Sequence, residues 1–548
     1  MFQRLKNGIN STLQNDVHYW VTGTISLSVM VIYLQTGSFT YIAFDDAKYV
    51  FNNDHVQQGI TISNIKWAFT TFTFSNWHPL TWLSYMVDFS LFGLRPGLYH
   101  LENAAFHLAN SILVYAFMVG LTRTPWKSGV VALLFAVHPL HVESVAWIAE
   151  RKDVLSVFWG LISLVAYIQY TRNSSKVYFV LTWAALALSL LAKPMLVTLP
   201  FVFILLDCVP FKRLYFTTSS IFKIAIIEKI PFFLASLFVS VLAYKAQNAS
   251  GAVSNFETVP LGIRIANGLD AIVNYILMTL VPRNLGVFYP HLLDQIPAMQ
   301  TIINFVLLTV LFLVVLMISR KKPLVLIGCL WFIGTLVPVL GIVQVGGAAM
   351  ADRYTYFPHI GFFIAIVWAL AGNVTWGDRK APWLSCAFAV CLVLLCVTSV
   401  RQTSYWRDTV SLFEHTARVT QPNSTVYKIL GAGYGMQGDH QKAMEASKIS
   451  LEMNPYDVEA YGNLGAALLE LGELQEAEYA FQEAIYLAPY DPQFHVYMAI
   501  ALYRQRRYED AILRADEALR IDPEFQRASD LIERSRAAIV PITSLTPE

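Results

Sequence analysis

Long apolar runs separated by short polar loops fill the first 400 residues, and the pattern then changes character. A membrane-crossing helix needs roughly 20 apolar residues, with shorter ones tolerated inside a bundle. Runs at about 17–36, 101–121, 128–142, 154–170, 177–192, 195–210, 230–246, 301–319, 324–343, 359–374 and 383–400 meet that requirement, which predicts eleven spans. The run 266–281 carries Asn267, Asp270 and Asn274, costly groups against lipid, and reads as a dipping or interfacial helix. From about residue 405 the chain is rich in Glu, Gln, Arg and Ala and reads as soluble helix. The pattern therefore predicts an all-α protein with a membrane domain over 1–404 and a soluble helical domain over 405–548.

The soluble part repeats. Pro455, Pro489 and Pro523 are spaced by 34 residues, as are Ala443, Ala477 and Ala511, and Gly431, Gly465 and Ala499. Tyr427, Tyr461 and His495 follow the same interval, as do Leu430, Leu464 and Met498. Small residues where paired helices touch, with Pro at the closing turn, are the tetratricopeptide signature. Three repeats run from about 424 to 523, and 524–538 reads as the capping helix of the α-solenoid. The array can hold an acceptor protein on its concave face or act as a scaffold.

Cationic loops orient the spans. Arg4 and Lys6, Arg123 and Lys127, Arg172 and Lys176, Lys212, Arg213 and Lys223, Arg320 to Lys322, and Arg379 and Lys380 fall at every second boundary. The positive-inside rule puts them in the cytoplasm. The N-terminus is then cytoplasmic, and loops 37–100, 141–153, 247–300 and 344–358 and the repeats are extracytoplasmic. No small-residue cleavage site follows the first run, which reads as a retained span. The first outer loop is aromatic, with Trp67, Trp77 and Trp82 among many Phe residues, as expected of short helices in the headgroup plane beside a lipid substrate.

Composition agrees: 55% hydrophobic, 14% charged and a mean hydropathy of +0.48. A net charge of +1 gives no field for nucleic acid. Cys208, Cys329, Cys386, Cys391 and Cys396 lie in apolar runs without ligand spacing and read as small buried hydrophobes.

Ionisable groups at membrane depth are functional candidates, and the unusual ones fall on the predicted outer face. Asp45 and Asp46 follow the first span. "NWHPLTW" supplies His78, and "HPLHVESVAWIAERKDVLS" supplies His138, His141, Glu143, Glu150, Arg151, Lys152 and Asp153. Lys193, Asp352 and Arg353 complete the set. Carboxylates can serve as a general base or hold a divalent cation such as Mg or Mn, which the sequence leaves open. Arg and Lys can grip a phosphate. Both signs under an aromatic lid suit a lipid-linked phosphate sugar. Local salt bridges at helix ends are the alternative for Arg151 with Asp153 and for Asp352 with Arg353. A His-x-x-x-His zinc motif, a Walker loop and GxGxxG are absent, which argues against a zinc hydrolase and a cytoplasmic nucleotide donor.

"FDD" after the first span, the long "HPLHVESVAWIAERKDVLS" stretch and "DRYTYFPHIGF" before a late span resemble the transmembrane and tetratricopeptide-repeat-containing O-mannosyltransferases of the GT-C glycosyltransferase superfamily. The short loops and few repeats are most similar to prokaryotic relatives. The resemblance implies an inverting transferase in the cell (inner) membrane. Its donor would be a polyprenyl-phosphate sugar and its acceptor Ser or Thr of an extracytoplasmic protein. It implies a catalytic role for Asp45, with Asp46 as partner, and phosphate binding by Arg353, Lys193 and Arg151. His78, His141, Glu143, Asp153 and Asp352 are further site candidates. The chain departs from animal members in its few repeats, in "AERKD" and in His78 within "NWHPL". Competing readings are the same fold glycosylating a lipid or surface polysaccharide, a non-catalytic tetratricopeptide membrane scaffold, and a transporter.

Overall fold

A computed structural model describes residues 2–211, 213, 226–249, 251, 258–291, 296–344, 346–371 and 382–539. Lys212, Lys223, Arg379, Lys380 and the side chains of Arg4 and Lys6 lie outside the described residues. The chain divides into two compact units, one up to Asp408 and one from Thr409.

The first unit is helical, with one two-stranded antiparallel pairing, Tyr289–Pro290 against Ala348–Met350, among the described residues. Among the described residues seven helices are long and apolar enough to cross a membrane: Asp16–Ser38, Pro96–Thr122, Ile148–Asn173, Ile230–Ala249, Leu261–Leu280, Ala298–Ser319 and Ser385–Arg407. Lys176–Ala192, Pro194–Cys208, Pro323–Val339 and Pro358–Ala371 are shorter apolar helices. The run expected at 128–142 is a pair, Pro125–Val137 and Pro139–Ala146, bent by 55°. Proline lacks the N–H and clashes with the preceding turn, so Pro139 breaks the helix there. Proline at the first turn, where that N–H is not needed, opens the helices at Pro79, Pro96, Pro125 and Pro323.

Leu261–Leu280 is longer and more apolar than the sequence reading allowed. Its carboxylate is shielded from lipid: Asp270 accepts hydrogen bonds from the amides of Asn274 (2.8 Å), Gln300 (2.6 Å) and Asn304 (3.1 Å). The cysteines depart from the buried reading. Cys208, Cys386 and Cys391 are exposed. In a spanning helix the outward face is itself apolar, so a small hydrophobe there has no need of the core.

In the second unit the repeats form helix pairs Ser424–Gln437 with His440–Met453, Val458–Leu471 with Leu474–Leu487, and Pro492–Arg504 with Tyr508–Ile521. Gln526–Ile539 follows the three pairs and packs Ala528, Leu531 and Ile532 onto Ala515 and Ala518. The small residues have a steric cause. A Cβ on Gly431 would stand 2.5 Å from Ser447 Oγ, and one on Gly465 2.6 Å from the Phe481 ring. Gly438 and Gly472 end their helices at φ of 80° and 83°, the left-handed turn that glycine takes without strain. Asn423, Asp457 and Asp491 cap helix starts by accepting a backbone N–H.

Candidate functional site

At one end of the first unit, segments distant in sequence bring their charges together. Glu150 lies at the centre, just before helix Arg151–Asn173. Its Oε1 is 3.2 Å from Lys152 Nζ and 3.3 Å from Arg353 Nε, and its Oε2 accepts from Lys193 Nζ at 3.0 Å. Lys193 also donates to Asp153 Oδ1 at 2.6 Å, and Ser144 Oγ donates to Asp153 Oδ2 at 3.1 Å. Glu143 Oε2 accepts the backbone N–H of Arg353 at 2.9 Å, and its Oε1 meets the Arg353 guanidinium. That guanidinium lies over the rings of Trp147 (5.5 Å) and Tyr354 (5.1 Å). Charge-assisted bonds and stacking of this kind fix a planar guanidinium in orientation.

The acidic pair of the first loop divides its duties. Asp46 is fully buried, and both of its oxygens are taken: Oδ2 accepts from the Ile42 amide (2.9 Å) and Oδ1 from the Ala149 amide (2.8 Å). Burial pushes its carboxyl up to about 7, the two backbone donors pull it down, and the neighbouring Asp45 charge adds to the rise. Asp45 is half-buried, and among the described residues its side chain makes no hydrogen bond or ion pair. The charge of Lys152 reaches it, and the Lys152 ammonium itself sits 4.7 Å from the centre of the Tyr49 ring. Phe44, just before the pair, stacks on Trp147 at 5.5 Å. Among the described residues the site thus offers an unengaged Asp45 carboxylate whose neighbour Lys152 shares Glu150 with Lys193 and Arg353.

The other sequence candidates are placed as follows. His78 is buried and stacks on Tyr49 (5.5 Å), and its Nε2 has no hydrogen-bond partner among the described residues. Burial, and then the charges of Lys152 and Lys193, push it well below its ordinary value, so it is a neutral imidazole. Asp352 accepts from the Tyr289 hydroxyl at 2.9 Å, and burial followed by the Glu143 charge holds it well above the usual carboxylate range. Arg151 does not join the cluster. It is fully buried and pairs with Asp88 (2.9 Å) and Glu102 (3.0 Å), with further bonds to Asn103 and the Tyr99 carbonyl. Lys152 stands in the site instead. His141 also lies apart: Nδ1 contacts the Phe135 carbonyl at 2.7 Å and Nε2 contacts His359 Nδ1 at 2.9 Å, within a buried histidine group that includes His138. Among the described residues no group of three or more His, Cys, Asp or Glu is placed to hold a metal ion.

Helix phase was the available signal for part of this. Glu150 and Asp153 are three apart, so they share a face, and both meet Lys193. Arg151 is turned about 100° from Glu150 on that helix. Nothing local marks the Glu143–Arg353 contact, which joins residues 210 apart.

Lys193 and Arg353 end at one face of the bundle. Helix Leu261–Leu280 bonds repeatedly to the stretch leading into Arg353, through Arg264 to Ile342 O, Asn267 to Ala349 O and Tyr275 to Ala351 O. Thr40 N donates to Arg407 O at 3.0 Å, which puts the end of the first unit at the same face.

Comparison with known proteins bears on what such a site does. Residues 458–491 match the tetratricopeptide repeat family model. The human protein O-mannosyl-transferase TMTC1 is 24% identical over 77% of this chain and 54% of its own length. The chain is similar to the TMTC protein O-mannosyl-transferases. The mouse TMTC3 enzyme is 22% identical over 81% of this chain and 52% of its own length. Mouse TMTC2 reaches 32% identity over 28% of this chain and 19% of its own length. The chain spans about half the length of the TMTC relatives that it matches most broadly.

Proposed function

We propose that this chain is a GT-C glycosyltransferase that moves a sugar, mannose by analogy with the TMTC relatives, from a polyprenyl-phosphate donor to Ser or Thr hydroxyls of an extracytoplasmic protein. The observation that carries the reading is the unengaged Asp45 carboxylate beside Lys152, with Lys193 and Arg353 gathered on Glu150. Asp45 takes the proton of the acceptor hydroxyl. The hydroxyl oxygen forms its bond to the anomeric carbon from the face opposite the phosphate, and the bond from that carbon to the phosphate oxygen breaks. The electron pair leaves with the polyprenyl phosphate, whose growing charge meets the three cations already in place. The product has the inverted configuration. Asp46 fixes the loop that carries Asp45 and takes no proton from the acceptor.

The same reading places the protein as a multi-pass protein of a prokaryotic inner membrane, with the N-terminus cytoplasmic and the repeats extracytoplasmic, where they hold the acceptor. The test is the intact mass of envelope proteins from cells carrying the wild-type chain, a deletion, or Asp45→Asn. Hexose-sized additions that vanish in both altered strains support the proposal. If no protein changes mass on deletion, the acceptor is a lipid or glycan, or the chain is a scaffold.

A further inference from the structure

The charge arrangement does more than collect cations. Lys193 and Arg353 each hold a second carboxylate besides Glu150, namely Asp153 and Glu143. Lys152 has Glu150 as its ion-pair partner and the Tyr49 ring beneath it. The charges of Asp45 and Asp46 also reach Lys152. Asp46 has both oxygens taken by backbone N–H groups, which leaves Asp45, whose backbone carbonyl accepts the N–H of the same Tyr49 at 3.0 Å. Glu150 and Asp45 therefore compete for one ammonium, and in this structure Glu150 holds it. An ion pair between Lys152 and Asp45 would occupy a carboxylate oxygen that has to accept the hydroxyl proton, and it would weaken Asp45 as a base.

We propose that Glu150 is a positioning residue that gathers Lys152, Lys193 and Arg353 into one anion-binding trio and keeps Lys152 from pairing with Asp45. The inference rests on the reading of this site as a donor-phosphate pocket. Among the described residues, the charged and titratable groups around Asp45 include Asp46, Lys48 and Tyr49 from its own loop and Lys152 from the start of helix Arg151–Asn173, which Glu150 holds. Arg353, from the turn before Pro358, acts on Lys152. Glu150 occupies much of the cations' bonding capacity before a donor arrives, so it tempers phosphate affinity while it protects the base.

The experiment uses the full-length purified chain as wild type, Glu150→Gln, Glu150→Asp and the double variant Glu150→Gln with Lys152→Met. Farnesyl phosphate binding is measured by calorimetry, and transfer from a polyprenyl-phosphate mannose to a Ser/Thr peptide gives kcat and donor KM. Glu150→Gln is expected to bind farnesyl phosphate about tenfold tighter, since one nearby negative charge is gone. Its kcat should fall by about tenfold or more, because the base is now paired. Adding Lys152→Met should cancel the gain in anion affinity and lower kcat no further than Glu150→Gln alone, because release of the base offsets the lost phosphate contact. Glu150→Asp should stay near wild type in both. Parallel loss of farnesyl phosphate binding and kcat in Glu150→Gln, with a further fall in kcat on adding Lys152→Met, would overturn the inference. If the wild type neither binds farnesyl phosphate nor transfers sugar, the donor-pocket reading itself fails, and the inference with it.

Discussion

Asp46 Oδ1 accepts a 2.8 Å hydrogen bond from the amide of Ala149, 103 residues further along the chain. Through that bond the loop after helix Asp16–Ser38 is pinned to the segment that opens into Glu150 and Lys152. Asp45, one residue earlier, is thereby held within reach of the Lys152 charge without spending its own carboxylate. Two neighbouring acids thus separate into an anchor and an unengaged group.

The two substitutions should therefore fail in different ways. Asp45→Asn is expected to express and melt like wild type and to lose at least about 100-fold in kcat, the scale of a lost general base. Asp46→Asn turns an amide N–H toward a backbone N–H and should lower stability by about 1–3 kcal/mol. Thermal melting in detergent and single-turnover rates separate the two. Equal melting loss in both variants would contradict the division.

Asp46 also predicts a pH dependence. Its folded carboxyl titrates near 7, against an ordinary value of 3.8. Between those values the folded state holds a proton that the unfolded state has released. Stability from this group is full below about pH 4 and is lost as pH rises through about 7. Wild-type melting temperature should fall from pH 5 to pH 8 more steeply than that of Asp46→Asn, measured in the same detergent.

Arg151 and Arg353 carry the same charge in different surroundings. Arg151 is fully buried against Asp88 and also pairs with the part-exposed Glu102, so Arg151→Ala strands the buried Asp88 carboxylate and should cost about 3–5 kcal/mol. Arg353→Ala removes a group stacked on Trp147 and aimed at the site. It also strands the buried Glu143 carboxylate, so it should lower stability as well. Beyond that, it should raise the donor KM about tenfold or more through the lost charge-assisted phosphate contact. Melting should fall in both variants, and a raised donor KM should appear in Arg353→Ala alone.

The shared face of Thr40 and Arg407 gives a topological expectation. A reporter fused after Arg407 should label from the same side as a cysteine placed in the first loop, at Asn52. Labelling of the two from opposite sides would break the placement of the site.

The repeats were readable in the sequence because each contact is local. Gly465 meets Phe481 within one helix pair, so the constraint recurs at a fixed interval and shows as periodicity. The site was readable in its parts and not in its pairings. Sequence marks "ERKD" as unusual, but one step along the helix decides that Arg151 turns to Asp88 while Lys152 turns to Glu150. Asp45 and Asp46 pose the same difficulty, since their separation depends on an amide donated by Ala149. Leu261–Leu280 was read from its polar residues alone, and the amides of Gln300 and Asn304 that offset the cost of Asp270 come from another helix.

The most direct measurement is sugar transfer by the purified chain from a polyprenyl-phosphate mannose of known anomeric configuration to a Ser/Thr peptide, with the product linkage read by NMR. The account predicts a hexose on the hydroxyl with the configuration inverted, and loss of that product in Asp45→Asn. Retention of configuration, or wild-type turnover by Asp45→Asn, would contradict it.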